Sequence, residues 1–389
     1  MNYRILALFI SSMGIVTGFS ATANAQFADD TSVGGISIAG LNQTEATRRL
    51  TRELAPKLDY KVTLAAGTKT TVRKRRDLGF SLVIEKMLSE AANNTNVPVA
   101  FSVDRIAAKN ALTRLQNELS TGVVNAKPIY FDGKVQIQPS IAGKTLDFST
   151  SAARLQILGE RTATMTRFAL EAKTAEPKVK TEDLNGIDSV LETYTTRFNP
   201  AVKGRTHNVR LAAAAIDGTV LGADKIFSLN GTVGKRSKAR GYKEAIIFES
   251  GREIRGLGGG VSQVTGTLFN AALKAGLPIV TYRTHSKPVT YISIGRDATV
   301  AWGSFDMKFK NDTGAPIYIS YKIIGTRRLR ATLFGKKTGR TTKISVTSKR
   351  NGPRNISANL YRVIYKNGEF QKREKVGSSH YNWKADNEE

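Results

Sequence analysis

Along the first half of the chain, apolar positions repeat with the periods of two alternating element types. Ala46, Leu50, Leu54 and Leu58 stand four residues apart and predict one face of a helix, and Asn42 followed by Glu45 predicts a capping box at its start. Tyr60, Val62 and Leu64 then take the two-residue period of a half-buried strand. The plan returns at Asp104, the predicted N-cap of a helix with the stripe Ala108, Ala111, Leu112, Leu115 and Leu119. Alternating runs on either side of Asp132-Gly133 predict a hairpin, because that dipeptide accepts the positive φ angles of a tight turn. Another helix is expected from Asp147 or Ser149, and a strand over Arg167–Ala172. Helix plus hairpin, used twice, predicts a tandem repeat. The basic run Arg73–Arg76 reads as a solvated loop, and Lys173–Asp183, charged and holding Pro177, as a linker.

The second half carries one long helical pattern. Gly256, Gly258, Gly259 and Gly260 lead into Val261, Val264, Leu268, Ala271, Ala272 and Ala275, which fit a 3.6-residue period, and Gly276 is placed to end the helix. Ser262 therefore falls at the helix N-terminus, where backbone N–H groups and the positive end of the dipole favour an anion. From Thr326 onward the alternation is that of strands, with Asn367-Gly368 as a hairpin turn.

Composition adds an address and a charge. The chain opens with Arg4, an apolar run from Ile5 to Phe19 and the small-residue triplet Ala23-Asn24-Ala25, the layout of a cleaved secretory signal over residues 1–25. No later segment reads as a membrane span. Lys plus Arg number 59 against 32 Asp plus Glu, a net +27, and the balance stays at +26 when residues 1–25 are set aside. The final stretch, Thr326–Glu389, alone holds +11. An exported protein with that charge is expected to meet anionic envelope polymers and to touch membrane surfaces peripherally. Nucleic acid is not an expected partner outside the cytoplasm; a nucleic-acid or lipopolysaccharide binder driven by charge alone is the third-ranked class.

With no cysteine, disulfides, thiolate metal sites and cysteine nucleophiles are excluded. Three scattered histidines give no zinc pattern. The run GTVGKRS lacks the first glycine of a P-loop and has Arg236 where Ser or Thr should follow the lysine, and GLGGG lacks dinucleotide-loop spacing. No cofactor and no metal are expected.

Six motifs in order, RTHNVRLAAAAIDGTVL, FSLNGTVGKRSKARGYKEA, GLGGGVSQVTGTLFNAALKAGL, HSKPVTYI, GRDATVAWG and FDMKFKNDTGAPIYI, resemble the VanW family. The segments GISIAGLNQTEA with DLG, and NAKPIYFDGKVQIQPSIAGKTLD, resemble the peptidoglycan-binding domain that commonly precedes VanW domains. The expected class is modular α+β: a signal peptide (1–25), two peptidoglycan-binding-like repeats (32–100 and 101–172), a linker (173–189), a VanW-like domain (190–325) and a basic β-rich region (326–389). The resemblance implies peptidoglycan as partner and an L,D-transpeptidase-like cysteine in the family's GGGICQ motif, where this chain has Ser262. A helix N-terminus can draw a thiol into the thiolate range, but a serine hydroxyl needs a general base.

His285 and Asp297 are the candidate base and its orienting acid, giving Ser262, His285 and Asp297 as the candidate catalytic set. Gly258, Gly259, Gly260 and Gln263 are candidates for substrate binding, with Arg296 as a bidentate carboxylate holder. The leading expectation is a non-catalytic or weakly catalytic peptidoglycan-engaging protein. The alternative is a serine acyl transferase or hydrolase acting on stem peptides. Oligomeric state is not legible in the sequence.

Overall fold

The computed structural model describes residues 26–161, 164–249 and 252–383, and its class is α+β with several small sheets. The segment expected to be a cleaved signal, residues 1–25, lies outside the described residues. Among the described residues no helix is long and apolar enough to cross a membrane. The chain divides into two compact units, one of residues up to Gly122 with Gly143–Ala175, the other of Val123–Ala142 with the chain from Glu176 onward.

In the first unit the predicted capping box is present. Asn42 Oδ1 accepts from the Glu45 N–H at 3.0 Å and Glu45 Oε2 from the Asn42 N–H at 3.1 Å, starting a helix over Gln43–Leu54. Its face Ala46, Leu50 and Leu54 is buried against Met87, Leu88 and Ala91 of the Ile84–Ala91 helix. A second core lies under the strands Lys61–Ala66 and Lys69–Lys74, with Arg167–Ala169 added parallel to the first. Asp104 caps Arg105–Arg114 through the N–H groups of Ile106 and Ala107. The predicted stripe continues past that helix: the chain breaks at Leu115 and makes one more turn, Gln116–Leu119, with Leu119 buried.

The basic run is not a solvated loop. Arg73 and Lys74 end a strand, Arg76 and Lys74 both pair with Asp59, and Arg75 is buried with its guanidinium 4.6 Å from the centre of the Phe101 ring. A planar, weakly hydrated cation over an aromatic face recovers part of its desolvation cost.

The hairpin Lys127–Phe131 with Lys134–Gln138 turns at Asp132-Gly133, both with positive φ, and it belongs to the second unit. Ala172–Ala175, at the start of the segment read as a linker, is a strand paired with Gly143–Leu146. The second unit is built on a four-stranded antiparallel sheet in the order Ser189–Arg197, Arg328–Gly335, Ile317–Ile324, Thr219–Leu221. The Val261–Lys274 helix packs on it through Val264, Leu268, Ala271 and Ala272, facing Ile319, Leu329, Ala331 and Leu333.

Periodicity predicted one apolar stripe for this helix, but every residue from Gln263 to Leu273 is buried. The polar ones are therefore all bonded. Gln263 Nε2 donates to Thr196 Oγ1 and the Arg197 carbonyl, Thr267 donates to the Gln263 carbonyl, and Asn270 donates to the Arg296 carbonyl. Gly276, at φ 77°, ends the helix by letting the Leu277 N–H return to the Ala272 carbonyl.

The basic C-terminal region is a three-stranded meander, Arg340–Gly352, Asn355–Lys366 and Glu369–Asn382, with Asn367-Gly368 as the second turn. Ile356, Ala358, Leu360 and Ile364 alternate inward. Arg362, in the same inward register, donates to the carbonyls of Leu273 and Leu277, and Thr342 donates to that of Lys274, so this sheet satisfies the C-terminal end of the buried helix.

Leu268→Ala is expected to cost about 2–5 kcal/mol, the range for a large-to-small change at a fully packed site. A urea midpoint shift of the full chain reads it. A cost of under about 1 kcal/mol would show that the helix does not hold the second unit together.

Candidate functional site

The glycine run that begins the buried helix is shaped by what crowds it. Gly258 and Gly260 lie at φ 86° and 104°, open to glycine and strained for other residues. A Cβ on Gly258 would stand 2.7 Å from Arg236 Cγ, and one on Gly260 2.9 Å from Arg205 Cγ. A Cβ on Gly259 would overlap the Ile246 carbonyl of the neighbouring hairpin, Glu244–Glu249 with Arg252–Leu257. The three glycines thus let a strand and two arginine stems close directly onto the helix start.

This turn floors a cavity of about 1320 Å³. Arg205, Lys235, Arg236 and Arg283 line it, no Asp or Glu does among the described residues, and Tyr282, Tyr291, Trp302 and Phe305 give it aromatic walls. Ser262 and His285 both line it.

Asp297 lies behind His285 and is 1% exposed. Its Oδ2 accepts from the His285 backbone N–H at 2.8 Å and contacts His285 Nδ1 at 2.7 Å, while Oδ1 accepts from the Tyr381 hydroxyl at 2.5 Å. A carboxylate can only accept, so Nδ1 carries the proton of the neutral ring and Nε2 is left as the acceptor. Tyr381 in turn accepts from the Gly295 N–H at 2.7 Å. Burial and then the Asp297 charge hold the Tyr381 phenol far above its ordinary range.

Ser262 Oγ is 3.0 Å from Thr299 Oγ1, its one hydrogen-bond partner among the described residues. The Thr299 N–H is tied to the Arg283 carbonyl at 2.7 Å, two residues before His285. The structure therefore brings Gly258, Gly259, Gly260, Ser262 and His285 to one cavity, with Asp297 supporting the imidazole, but it forms no Ser262–His285 hydrogen bond. Gln263 and Arg296 do not line the cavity. Gln263 is core, and Arg296 donates through Nε to Asn270 Oδ1 while its guanidinium lies 5.5 Å from the centre of the Tyr194 ring.

Sequence reasoning missed Thr299, Tyr381, Arg205 and Arg236. Tyr381 and its neighbours come from the C-terminal meander, whose last strand supplies Val376, Gly377, Ser378 and His380 to the cavity wall. Alternation marked that strand but not the face it meets. Arg236 was visible only as the residue that spoiled a P-loop.

Tyr381→Phe is expected to cost about 1–3 kcal/mol, because it strips one donor from a buried carboxylate; an unchanged thermal midpoint would mean that the hydroxyl does not support Asp297. Alkaline stability follows from Tyr282 and Tyr318. Burial first, then Asp297 for Tyr282 and Asp217 for Tyr318, push each up to about 12. The unfolded phenol ionises near its ordinary ~10, so the stability these groups confer is complete below that pH and is lost as pH rises towards 12. Tyrosinate absorbance and circular dichroism followed together should show delayed ionisation ending in unfolding. All 12 tyrosines titrating near pH 10 with an intact fold would contradict this.

Two family models match parts of the chain. The family model described as "VanW like protein" matches residues 204–334, and that described as "Putative peptidoglycan binding domain" matches residues 58–157. The "Uncharacterized protein YoaR" of Bacillus subtilis (strain 168) is 45% identical over 150 residues, covering 38% of this chain and 50% of that protein. The "Vancomycin B-type resistance protein VanW" of Enterococcus faecalis (strain ATCC 700802 / V583) is 28% identical over 149 residues, covering 36% of this chain and 54% of that protein. The chain thus spans about half the length of the curated relatives it matches. No solved structure matches it. The chain thus carries a VanW-like domain around the glycine-led helix, with a segment similar to a peptidoglycan-binding domain ahead of it.

Proposed function

We propose that this protein works at the cell wall after export, and that the cavity of its VanW-like domain holds peptidoglycan stem peptides without using Ser262 as a nucleophile. The observation that carries the reading is the pairing of Ser262 Oγ with Thr299 Oγ1 instead of a ring nitrogen of His285. A hydroxyl bonded to another hydroxyl gains no base to take its proton, and a helix dipole cannot ionise an alcohol as it can a thiol. The cationic lining, with no carboxylate among the described residues, supports an acidic ligand, and its aromatic walls support a peptide rather than a bare ion. The matched peptidoglycan-binding domain and the +26 balance beyond residue 25 support retention at an anionic wall.

The buried Asp297–His285 pair favours a second reading, acyl transfer. In it Ser262 Oγ would attack a stem-peptide carbonyl carbon, His285 Nε2 would take the hydroxyl proton, and the C–N bond would break with that proton passing to the leaving amine. The Ser262 side chain would have to leave Thr299 for His285.

The two readings separate when the protein is mixed with a disaccharide tetrapeptide. Titration should show saturable binding while the intact mass of the parent protein stays unchanged, and Ser262→Cys, which restores an activatable group, should gain the mass of an acyl adduct. A mass increase on the parent that disappears in both Ser262→Ala and His285→Ala would overturn the non-nucleophilic reading in favour of the serine acyl transferase.

A further inference from the structure

Two arginines at the cavity floor have no ion-paired acid among the described residues. Arg205 Nη2 donates to Gln263 Oε1 at 2.6 Å, and its guanidinium lies 5.7 Å from the centre of the Tyr291 ring. Gln263 is itself held by Thr196 and the Arg197 carbonyl, which fixes where Arg205 points. Arg236 Nη1 donates to Asn230 Oδ1 at 2.6 Å and to the Gly234 carbonyl at 3.1 Å, whereas Nη2 is buried without a partner. Among the described residues neither guanidinium is ion-paired. The acid whose charge reaches Arg236 is Asp306, and its oxygens are taken by the Ser228 hydroxyl and the N–H groups of Asn230 and Met307.

Both arginines are partly buried, and desolvation lowers the affinity of each guanidinium for its proton. A charge withdrawn from water is costly until a counter-ion meets it, and among the described residues no carboxylate pairs directly with either guanidinium. The stem of Arg205 lies close to Gly260 and that of Arg236 close to Gly258, so the two side chains pass one turn of backbone on their way into the cavity lining. At that turn the Val261–Lys274 helix begins with no side-chain hydrogen bond capping it, which leaves its positive end open to an anion.

We propose that Arg205 and Arg236, on either side of the Gly258–Gly260 turn, form a carboxylate subsite that takes the C-terminal carboxylate of a peptide. This rests on the stem-peptide reading above and deepens it: the peptide is selected by its free end, and the turn sets that end beside Ser262. Planar guanidinium forks match the planar carboxylate, and Tyr282, Tyr291 and Trp302 flank the peptide that leads up to it. Arg296, the sequence candidate for this task, does not line the cavity.

The test compares a disaccharide tetrapeptide with its C-terminal amide, titrated calorimetrically into the full chain. Because this pair differs only in the ligand, the comparison does not depend on any variant folding. The free acid should bind at least about tenfold more tightly, the range expected for one charge-assisted contact. Arg236→Gln and Arg205→Gln should each erase most of that preference, while Lys322→Gln, an equal charge change on an exposed strand position outside the cavity, should keep it. Equal binding of acid and amide would overturn the subsite and leave the stem-peptide reading standing; binding of neither would overturn both. A preference that survives in both arginine variants, or that Lys322→Gln weakens as much as they do, would also overturn the subsite, because diffuse charge would then account for it.

Discussion

The second unit depends on the burial of one helix, Val261–Lys274, on nearly every face. A helix sunk this deeply cannot leave a polar group to water, and each one left unbonded would cost about 1–3 kcal/mol. Its side-chain amides and hydroxyls are met by Thr196, Arg197 and Arg296, and its last carbonyls by Arg362 and Thr342. Tyr321, from the sheet, donates to the Val264 carbonyl at 2.6 Å. These bonds fix the rotation and axial position of the helix. The place where Ser262 and the glycine turn emerge is therefore set by the core, with no dependence on a mobile loop.

Asp297 is the second fixed point, and it joins parts of the chain that are far apart in sequence. One carboxylate receives the backbone and ring of His285 and the hydroxyl of Tyr381, 84 positions later. The C-terminal meander thereby becomes a wall of the site. Gly377 lets this happen, because any side chain there would overlap the Tyr282 hydroxyl. Tyr282 stacks on Phe269 of the buried helix at 4.5 Å, so helix, tyrosine and meander form one packed stack beside the cavity.

What could be read from the sequence was local. The Asn42 and Glu45 capping box, the Asp104 cap, the turns at Asp132-Gly133 and Asn367-Gly368, and the helix start at Gly260 follow from bonds and φ preferences spanning a few residues. The presence of Ser262 and His285 at one cavity was anticipated through the family's motif order, which spacing alone does not provide. Burial of charge was not legible. Arg75 and Arg362 count as surface cations in any tally of Lys and Arg, yet each is held inside by partners that only the fold brings near, Phe101 for one and the carbonyls of Leu273 and Leu277 for the other. Arg296 does not line the cavity for the same reason, since Asn270 and Tyr194 hold it from elements remote in sequence.

The serine at position 262 changes what this electrostatic surrounding can do. An uncapped helix start flanked by Arg205 and Arg236 is a region of positive potential. Around a thiol, such a field stabilises the thiolate and raises the fraction of reactive nucleophile at neutral pH. Around an alcohol it has almost no anion to stabilise, because the hydroxyl keeps its proton whatever the local potential. The same field, with no thiolate to consume it, remains available to an anion from outside. On the proposed reading, Ser262 therefore leaves the positive potential of Arg205, Arg236 and the helix start to a peptide carboxylate rather than to a nucleophile of the protein's own.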